Sequence, residues 1–351
     1  MTQDILFSND ICAAWEETVM RMDCDRLFIL TDDNTHRHCW PVVCEHVLQG
    51  QGEQKEPTVI TIPSGDSNKS LEQLTNIWKT LQESGATRHS LMVNIGGGMV
   101  TDLGGFAAST FKRGIRFVNI PTTLLAMVDA SVGGKTGINF GGLKNEIGTF
   151  SNASHVIINT IFLRTLDMEN ILSGYAEMIK HALLSDKTTW ASLLTFDVSA
   201  PDLDQLSQMV KASVAVKELI VSEDPTEKGL RKALNLGHTI GHAIESLFGG
   251  RLLHGHCVAY GLVAELYLSA IKTGFPTEYL RQTANFIRQH YSTPAITCND
   301  YPTLLERMRH DKKNTTGSIN FSLLADIGDI RINQTATDDE IQEALDFLRE
   351  G

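Results

Sequence analysis

Apolar runs and helical periodicities alternate through the first half of the chain. Residues 26–31 (Arg-Leu-Phe-Ile-Leu-Thr) form a short apolar run that stops at the turn-forming Asp32-Asp-Asn34. A second run, 59–62, ends at Pro63-Ser-Gly65. Between Lys69 and Glu83 the apolar residues Leu71, Leu74, Ile77, Trp78 and Leu81 recur at helical spacing, which predicts an amphipathic helix. Residues 91–95, 116–120 and 155–159 complete five predicted strands, and 100–110 makes a second helix. Strands that alternate with helices imply a largely parallel sheet with helices packed on it.

After about Thr165 the pattern changes. Amphipathic segments follow one another at 173–185, 203–222, 232–247, 256–272, 277–290 and 301–310. Residues 318–324 and 328–332 read instead as a small hairpin. The expected fold is therefore an α/β N-terminal domain over residues 1–165, followed by a mainly α-helical C-terminal domain over 166–351. At 351 residues, one or two domains is the range that chain length allows.

Composition removes several function classes. No apolar stretch approaches the length of a spanning helix, and the first residues lack the basic-then-apolar order of a secretory signal. A cytoplasmic protein without a membrane partner is expected. The net charge of −12 argues against a nucleic-acid partner, which requires basic patches. An acidic chain can still hold an anion where its cations are concentrated in one cleft. The six cysteines contain no CxxC pair and fit reduced thiols better than a disulfide framework.

Twelve of the 28 glycines lie between Gly96 and Gly148. Such density suggests backbone that takes unusual angles or approaches a ligand closely. The strand at 91–95 runs into Gly96-Gly97-Gly98 and then a helix, so free N–H groups and the helix dipole would face a pyrophosphate. This is not the GxGxxG fingerprint, and a plain tight turn accounts for many such triplets. Pro121-Thr-Thr-Leu124 adds two hydroxyls after a strand, and Asp129, Gly133-Gly-Lys135 and Gly142-Leu-Lys-Asn145 place polar groups between glycines. Lysines on glycine-lined loops suit phosphate, although most lysines are simply solvated.

The sharpest local feature is Asn235-Leu-Gly-His-Thr-Ile-Gly-His-Ala-Ile-Glu245. On a helix, His238, His242 and Glu245 share one face, and the neighbouring Leu, Ile and Ala would turn that face inward. Two histidines and a carboxylate suit a zinc ion with an open position, whereas hydrogen-bonded core histidines are the bland alternative. His254-Gly-His256 offers another ligand, and Glu177 in Gly174-Tyr-Ala-Glu-Met-Ile-Lys-His181 a carboxylate. Thr239 stands where HExxH has its base, so that hydrolytic motif is missing. His36, His38, Cys39, Cys44 and His46 also crowd together, but their spacing matches no usual zinc pattern.

Taken together and in this order, these segments resemble the dehydroquinate synthase family of sugar-phosphate cyclases. The resemblance runs from about Thr31 to Leu324 and is strongest at 94–150, 174–181, 217–261 and 311–317. It implies an N-terminal domain that binds NAD, a helical C-terminal domain, and a homodimer. It implies Glu177, His238 and His254 as ligands of Zn2+ (or Co2+), with His242 a polar active-site residue. Asp129, Lys135, Asn145, Lys180, Lys217, Arg231, Asn235 and one of Lys312 and Lys313 fall on substrate-contacting positions. Arg113, in Phe111-Lys-Arg-Gly114, matches an arginine given across the dimer to the substrate phosphate. Asp32, Asn34, Lys69, Gly97, Gly98, Asp102, Thr122, Thr123 and Lys144 match cofactor positions. Asp66 stands on another, where the family often has Glu, which shortens a contact to the adenosine ribose by one methylene. Thr101 replaces a common Gly, and His256 a common Glu.

The activity that the resemblance implies converts 3-deoxy-D-arabino-heptulosonate 7-phosphate to 3-dehydroquinate and phosphate. It proceeds by transient oxidation with NAD, phosphate elimination, reduction and aldol closure. Because NAD is regenerated, it acts as a catalyst. The alternatives are a cyclase for a sugar phosphate without the carboxylate, a metal-dependent polyol or glycerol dehydrogenase, and a silent NAD- or phosphate-binding regulator. Arg231 and Asp311-Lys-Lys-Asn314 favour an acidic substrate, since clustered cations grip a carboxylate. Net NADH production would mark a dehydrogenase.

Overall fold

The structure is a computed structural model that describes residues 3–49, 56–310 and 319–350. Its contacts divide it into two compact units, Met1–Asp167 with Asp202–Lys211, and Met168–Pro201 with Ala212–Gly351.

The first unit is built on a parallel sheet. Its strands are β1 (Asp4–Phe7), β2 (Leu27–Asp32), β3 (Thr58–Ile62), β4 (Leu91–Gly96), β5 (Arg116–Pro121) and β8 (His155–Ile158), in the spatial order β1-β8-β5-β4-β2-β3. Helices α1 (Ile11–Glu17), α2 (Asp33–His38), α3 (Trp40–Gln49), α4 (Leu71–Glu83) and α5 (Gly98–Thr110) connect them. All six residues of β4 are buried, as a central strand covered on both faces requires. β2 continues to β3 on one side, while β4 lies on its other side. The order of the sheet therefore reverses between β2 and β4, and ligands of open α/β sheets gather at the carboxyl ends flanking such a reversal. An antiparallel hairpin, β6 (Lys135–Phe140) and β7 (Leu143–Phe150), stands apart as its own two-stranded sheet.

The second unit is mainly helical: α6 (Met168–Leu183), α7 (Lys187–Thr195), α9 (His238–Leu247), α10 (His254–Thr273), α11 (Thr277–His290), α12 (Tyr301–Arg309) and α13 (Asp338–Glu350). Helix α8 (Leu203–Glu223) begins in the first unit and ends in this one. The expected hairpin is β9 (Asn320–Asp326) and β10 (Asp329–Thr335). The predicted helix over 232–247 is shorter than its periodicity suggested. Residues Leu230–Asn235 form 3-10 turns, and Gly237 turns left-handed (φ 80) before α9 begins at His238. No helix among the described residues is long and apolar enough to cross a membrane.

Helix α5 rides close over the sheet at Gly104. A Cβ there would lie 2.1 Å from the Asn94 side-chain oxygen and 2.8 Å from Leu30. Asn94 is fully buried and donates its amide to Asn119 across β4 and β5 (2.9 Å), so it cannot move aside cheaply. Gly104→Ala should therefore destabilise the protein by about 1–3 kcal/mol through overpacking, despite a helix-propensity gain of about 1 kcal/mol. Urea unfolding against wild type measures this.

Candidate active site

Within the first unit, several of the positions expected to hold cofactor lie at the carboxyl ends of neighbouring strands. Asp32 ends β2, Gly97 and Gly98 follow β4, and Thr122 and Thr123 follow β5. Asp32 is the N-cap of α2, and its carboxylate accepts the Thr35 N–H at 2.8 Å. Asn34 lies on the first turn of that helix. Gly97 is the N-cap of α5 and supplies no side-chain cap, so the helix presents its first-turn amides where an anion is favoured. A Cβ on Gly97 would come to 3.0 Å from Thr123, which ties the glycine turn to the β5 end.

The remaining positions expected for the cofactor form one polar cluster. Lys69, buried, makes short contacts to Asp102 on α5 and to the Asn145 side chain on β7. Lys144 pairs with Asp66 at 3.0 Å. Asn139 completes the set: its amide donates to the Asp66 carbonyl (3.0 Å), and its oxygen accepts the Asn145 N–H (3.0 Å). Asn145, expected on substrate, is thus hydrogen-bonded within the cofactor set, and its φ of 52° is held by these contacts. Asp129 lies on a single π-helical turn, Ala126–Ala130, a geometry frequent at functional sites. Lys135 begins β6 and is exposed. Arg113 is also exposed, and it follows Lys112 at φ values of 69° and 50°. Two consecutive non-glycine residues in this region carry strain that an ordinary loop would relieve.

Within the second unit, three helices bring the histidines and Glu177 together. Gly255 on α10 packs so closely on α6 that a Cβ would fall 1.8 Å from the Ser173 carbonyl oxygen. Gly261, further along α10, leaves the Gly237 carbonyl oxygen only 1.9 Å from its Cβ position. Glu177 on α6, His238 and His242 on α9 and His254 on α10 consequently meet. Glu177 Oε1 is 3.4 Å from His238 Nε2 and 3.5 Å from His254 Nε2, and Lys180 contacts its other oxygen. The three histidines each offer a nitrogen, all within 4.8 Å of one another.

The hydrogen bonds define what this cluster can hold. His238 Nδ1 lies 3.1 Å from the Leu236 carbonyl oxygen, to which it can only donate. His254 Nδ1 likewise meets Glu245 Oε2 at 3.1 Å. With Nδ1 committed in this way, Nε2 of each ring faces Glu177, and a neutral ring would present a lone pair to that carboxylate. A divalent cation between them resolves that conflict, so the donor set fits zinc or cobalt with an open position. The charges are unevenly placed. Burial and Lys180 push His238 down to about 3. Burial opposes charge on His254, but Glu177 and Glu245 outweigh it and hold the ring up at about 10. Burial also opposes charge on Glu177, yet Lys180 and His238 keep it well below the usual carboxylate range.

Lys180 and Lys217 are buried on α6 and α8, and Arg231 is buried with its guanidinium donating to the Pro225 carbonyl (2.7 Å). The Asn235 amide donates to Glu227 (3.1 Å), which itself sits at φ 59°. Lys312 and Lys313 lie outside the described residues. Two carboxylates escaped the sequence reading. Glu227 had no signal beyond a polar turn. Glu265 is fully buried and accepts the N–H groups of Gly237 (2.6 Å) and Ile240 (3.0 Å), capping α9 from α10. A lone carboxylate inside the apolar stretch of α10 was its available signal.

Gly261→Ala should force α9 and α10 apart. A zinc affinity at least tenfold weaker than wild type is expected, as for loss of support around a metal site, together with a lower unfolding midpoint. Chelator competition and thermal denaturation measure the two effects.

Comparison with known proteins bears on the family and the fold. The family model described as 3-dehydroquinate synthase N-terminal matches residues 59–173, and the 3-dehydroquinate synthase C-terminal model matches 174–314. A 3-dehydroquinate synthase of Parabacteroides distasonis is 52% identical over 351 aligned residues, covering 99% of this chain and 98% of its own. Among solved structures, 2-epi-5-epi-valiolone synthase of Streptomyces hygroscopicus, with NAD+ and Zn2+ bound, superposes with a TM-score of 0.87. It is 24% identical, over 100% of this chain and 97% of that one. A 2-deoxy-scyllo-inosose synthase complexed with carbaglucose-6-phosphate, NAD+ and Co2+ gives 0.85 at 22% identity, over 99% and 96%. Those two likenesses carry the fold, while the family models and the Parabacteroides identity extend through both units: the chain belongs to the 3-dehydroquinate synthase family.

Proposed function

We propose that this protein is a cytoplasmic 3-dehydroquinate synthase, releasing phosphate from 3-deoxy-D-arabino-heptulosonate 7-phosphate to form 3-dehydroquinate in aromatic amino-acid biosynthesis. The convergence of Glu177, His238 and His254 carries this reading, because a redox-assisted elimination needs a polarising cation beside the reacting alcohol. When bound, NAD supplies a reversible hydride acceptor and the divalent cation polarises the alcohol and later the aldol oxygens.

The chain's own residues have separable tasks. The glycine turn at 96–98 and the first turn of α5 would hold the cofactor pyrophosphate, and Asp32, Asn34, Thr122 and Thr123 its sugars. Lys69, through Asp102 and Asn145, keeps the β6–β7 hairpin against that site, while Asp66 and Lys144 close its outer side. Glu177, His238 and His254 would hold the cation. His242, within reach of the same nitrogens, and Asn235 would order proton movement around the substrate hydroxyls. Lys135, Lys180, Lys217 and Arg231, with Lys312 or Lys313, would neutralise substrate carboxylate and phosphate. Asp129 would orient the substrate. The substrate phosphate can take up the proton in its own elimination, so the protein need not provide a strong base there.

The homodimer belongs to the same proposal. Phe140, Leu143, Ile147 and Phe150, spread over both faces of the β6–β7 hairpin, expose 39–61% of their surface, apolar side chains that a second copy would cover. Thr149 on that hairpin hydrogen-bonds Ser109 near the end of α5, close in sequence to the strained loop that projects Arg113. Arg113 would then reach the phosphate in the partner's site.

The deciding assay follows phosphate release from the heptulosonate phosphate with catalytic NAD and zinc. Phosphate should appear without accumulating NADH, and a chelator should stop it. Steady NADH production on polyols would replace this reading with a dehydrogenase. Glu177→Ala or His238→Ala should bring turnover below about one-hundredth of wild type while the fold is retained by circular dichroism. Arg113→Ala should raise the substrate KM roughly ten- to a hundredfold, the worth of a charge-assisted contact, and leave NAD affinity unchanged.

A further inference from the structure

Glu245 is buried on α9, one turn beyond His242, and its sequence spacing made it a candidate metal ligand, yet its carboxylate meets a histidine ring instead. Its Oε2 lies 3.1 Å from His254 Nδ1, so the bond crosses from α9 to the first residue of α10. The two outer histidines are anchored differently. His238 is tied to the carbonyl of Leu236, two residues earlier in its own chain segment, and its side chain is 11% exposed. His254 is likewise the first residue of its helix, but its Nδ1 partner is a side chain on another helix, and its own side chain is 28% exposed. The ring of His238 is thus held by nearby backbone and that of His254 by a carboxylate.

We propose that Glu245 is a positioning residue for His254: by accepting the Nδ1–H it fixes the ring plane and the tautomer that leaves Nε2 as a lone-pair donor 3.5 Å from Glu177. This deepens the reading of Glu177, His238 and His254 as ligands of a divalent cation and rests on it. The physical reason is that a histidine bonded through Nδ1 to a carboxylate is both oriented and made more basic at Nε2. Glu245 also packs among apolar residues of α9, so a purely structural role is the competing explanation, and the test must separate the two.

The full-length protein is compared as Glu245→Gln, which keeps an acceptor oxygen, and Glu245→Met, which keeps volume without one. Zinc affinity is measured by competition with a chromogenic chelator, and NAD affinity serves as a control. E245M should bind zinc about 10–100-fold more weakly than wild type, the usual cost of removing such a partner, and E245Q should lose less than about tenfold. The same pair is then repeated in a His254→Ala background, where E245M should cause no further loss. Equal affinities for E245Q and E245M, or an equal loss with and without His254, would overturn the proposal in favour of packing. If E245M does not fold, Glu245→Ala takes its place under the same criteria. Wild type that binds no zinc, or His254→Ala with unchanged affinity, would overturn the ligand assignment itself and the proposal with it.

Discussion

The contact on which the cluster of Glu177 and the histidines depends is backbone against backbone. At Gly255 and Gly261 helix α10 approaches α6 and the residue before α9 more closely than any side chain would allow. The spacing is what lets one carboxylate from α6 reach imidazoles from two other helices. It also buries Glu177 completely, and there an isolated charge would cost several kcal/mol. Glu177, completely buried, is tolerated because Lys180 and two imidazoles surround it. A buried ionic group of this kind is weak evidence for stability. Its concentration where three helices meet is better explained by chemistry than by folding.

The first unit solves a different problem with a similar economy. Parallel strands covered by helices leave free polar groups at their carboxyl ends, which makes the reversal between β2 and β4 a natural place for a dinucleotide. Lys69 acts there mainly as a clasp. Its buried ammonium joins the turn before α4, the first turns of α5 and the β7 strand, three segments distant in sequence. A cation that must bridge Asp102 and Asn145 cannot also be a mobile surface charge. The cofactor role that the family resemblance implies for Lys69 therefore includes holding the walls of the site in place.

Much of this architecture was legible in the pattern of apolar positions, and the failures have identifiable causes. All five expected strands exist. β1 was not anticipated because Asp4–Phe7 is four residues long and shows no alternation. The β6–β7 hairpin was hidden by its own glycines. Gly141 and Gly142, both at positive φ, form its turn, yet their density was read as ligand-binding loop. Helix α13 carries Ile341, Ala344, Leu345 and Leu348 at clear helical spacing and was passed over. In the site, periodicity placed His238, His242 and Glu245 on one face. Spacing offered Glu177 and His254, which come from other helices, only as candidates among several; the family resemblance singled them out. Nor could it show that Glu245 turns toward His254, since that contact depends on how α9 and α10 pack.

Two carboxylates on this helix pair work in opposite directions along the chain. Glu245 reaches from α9 to the start of α10, and Glu265 reaches from α10 to the start of α9. Glu265 satisfies two amides that a helix N-terminus would otherwise leave unpaired in an apolar interior, where each would cost roughly 1–3 kcal/mol. It thereby fixes Gly237 and the first turn, on which His238 is the first residue. One histidine of the cluster is thus placed by capping its helix and the other by bonding its ring. The left-handed Gly237 belongs to the same device, because a residue with a side chain there would meet Leu262 at 2.9 Å and disfavour the φ of 80°. The helix predicted from residue 232 had to break at this point for His238 to stand at a helix start, with its Nδ1 turned back to Leu236. The departure from simple periodicity is therefore where the fold gives way to the site.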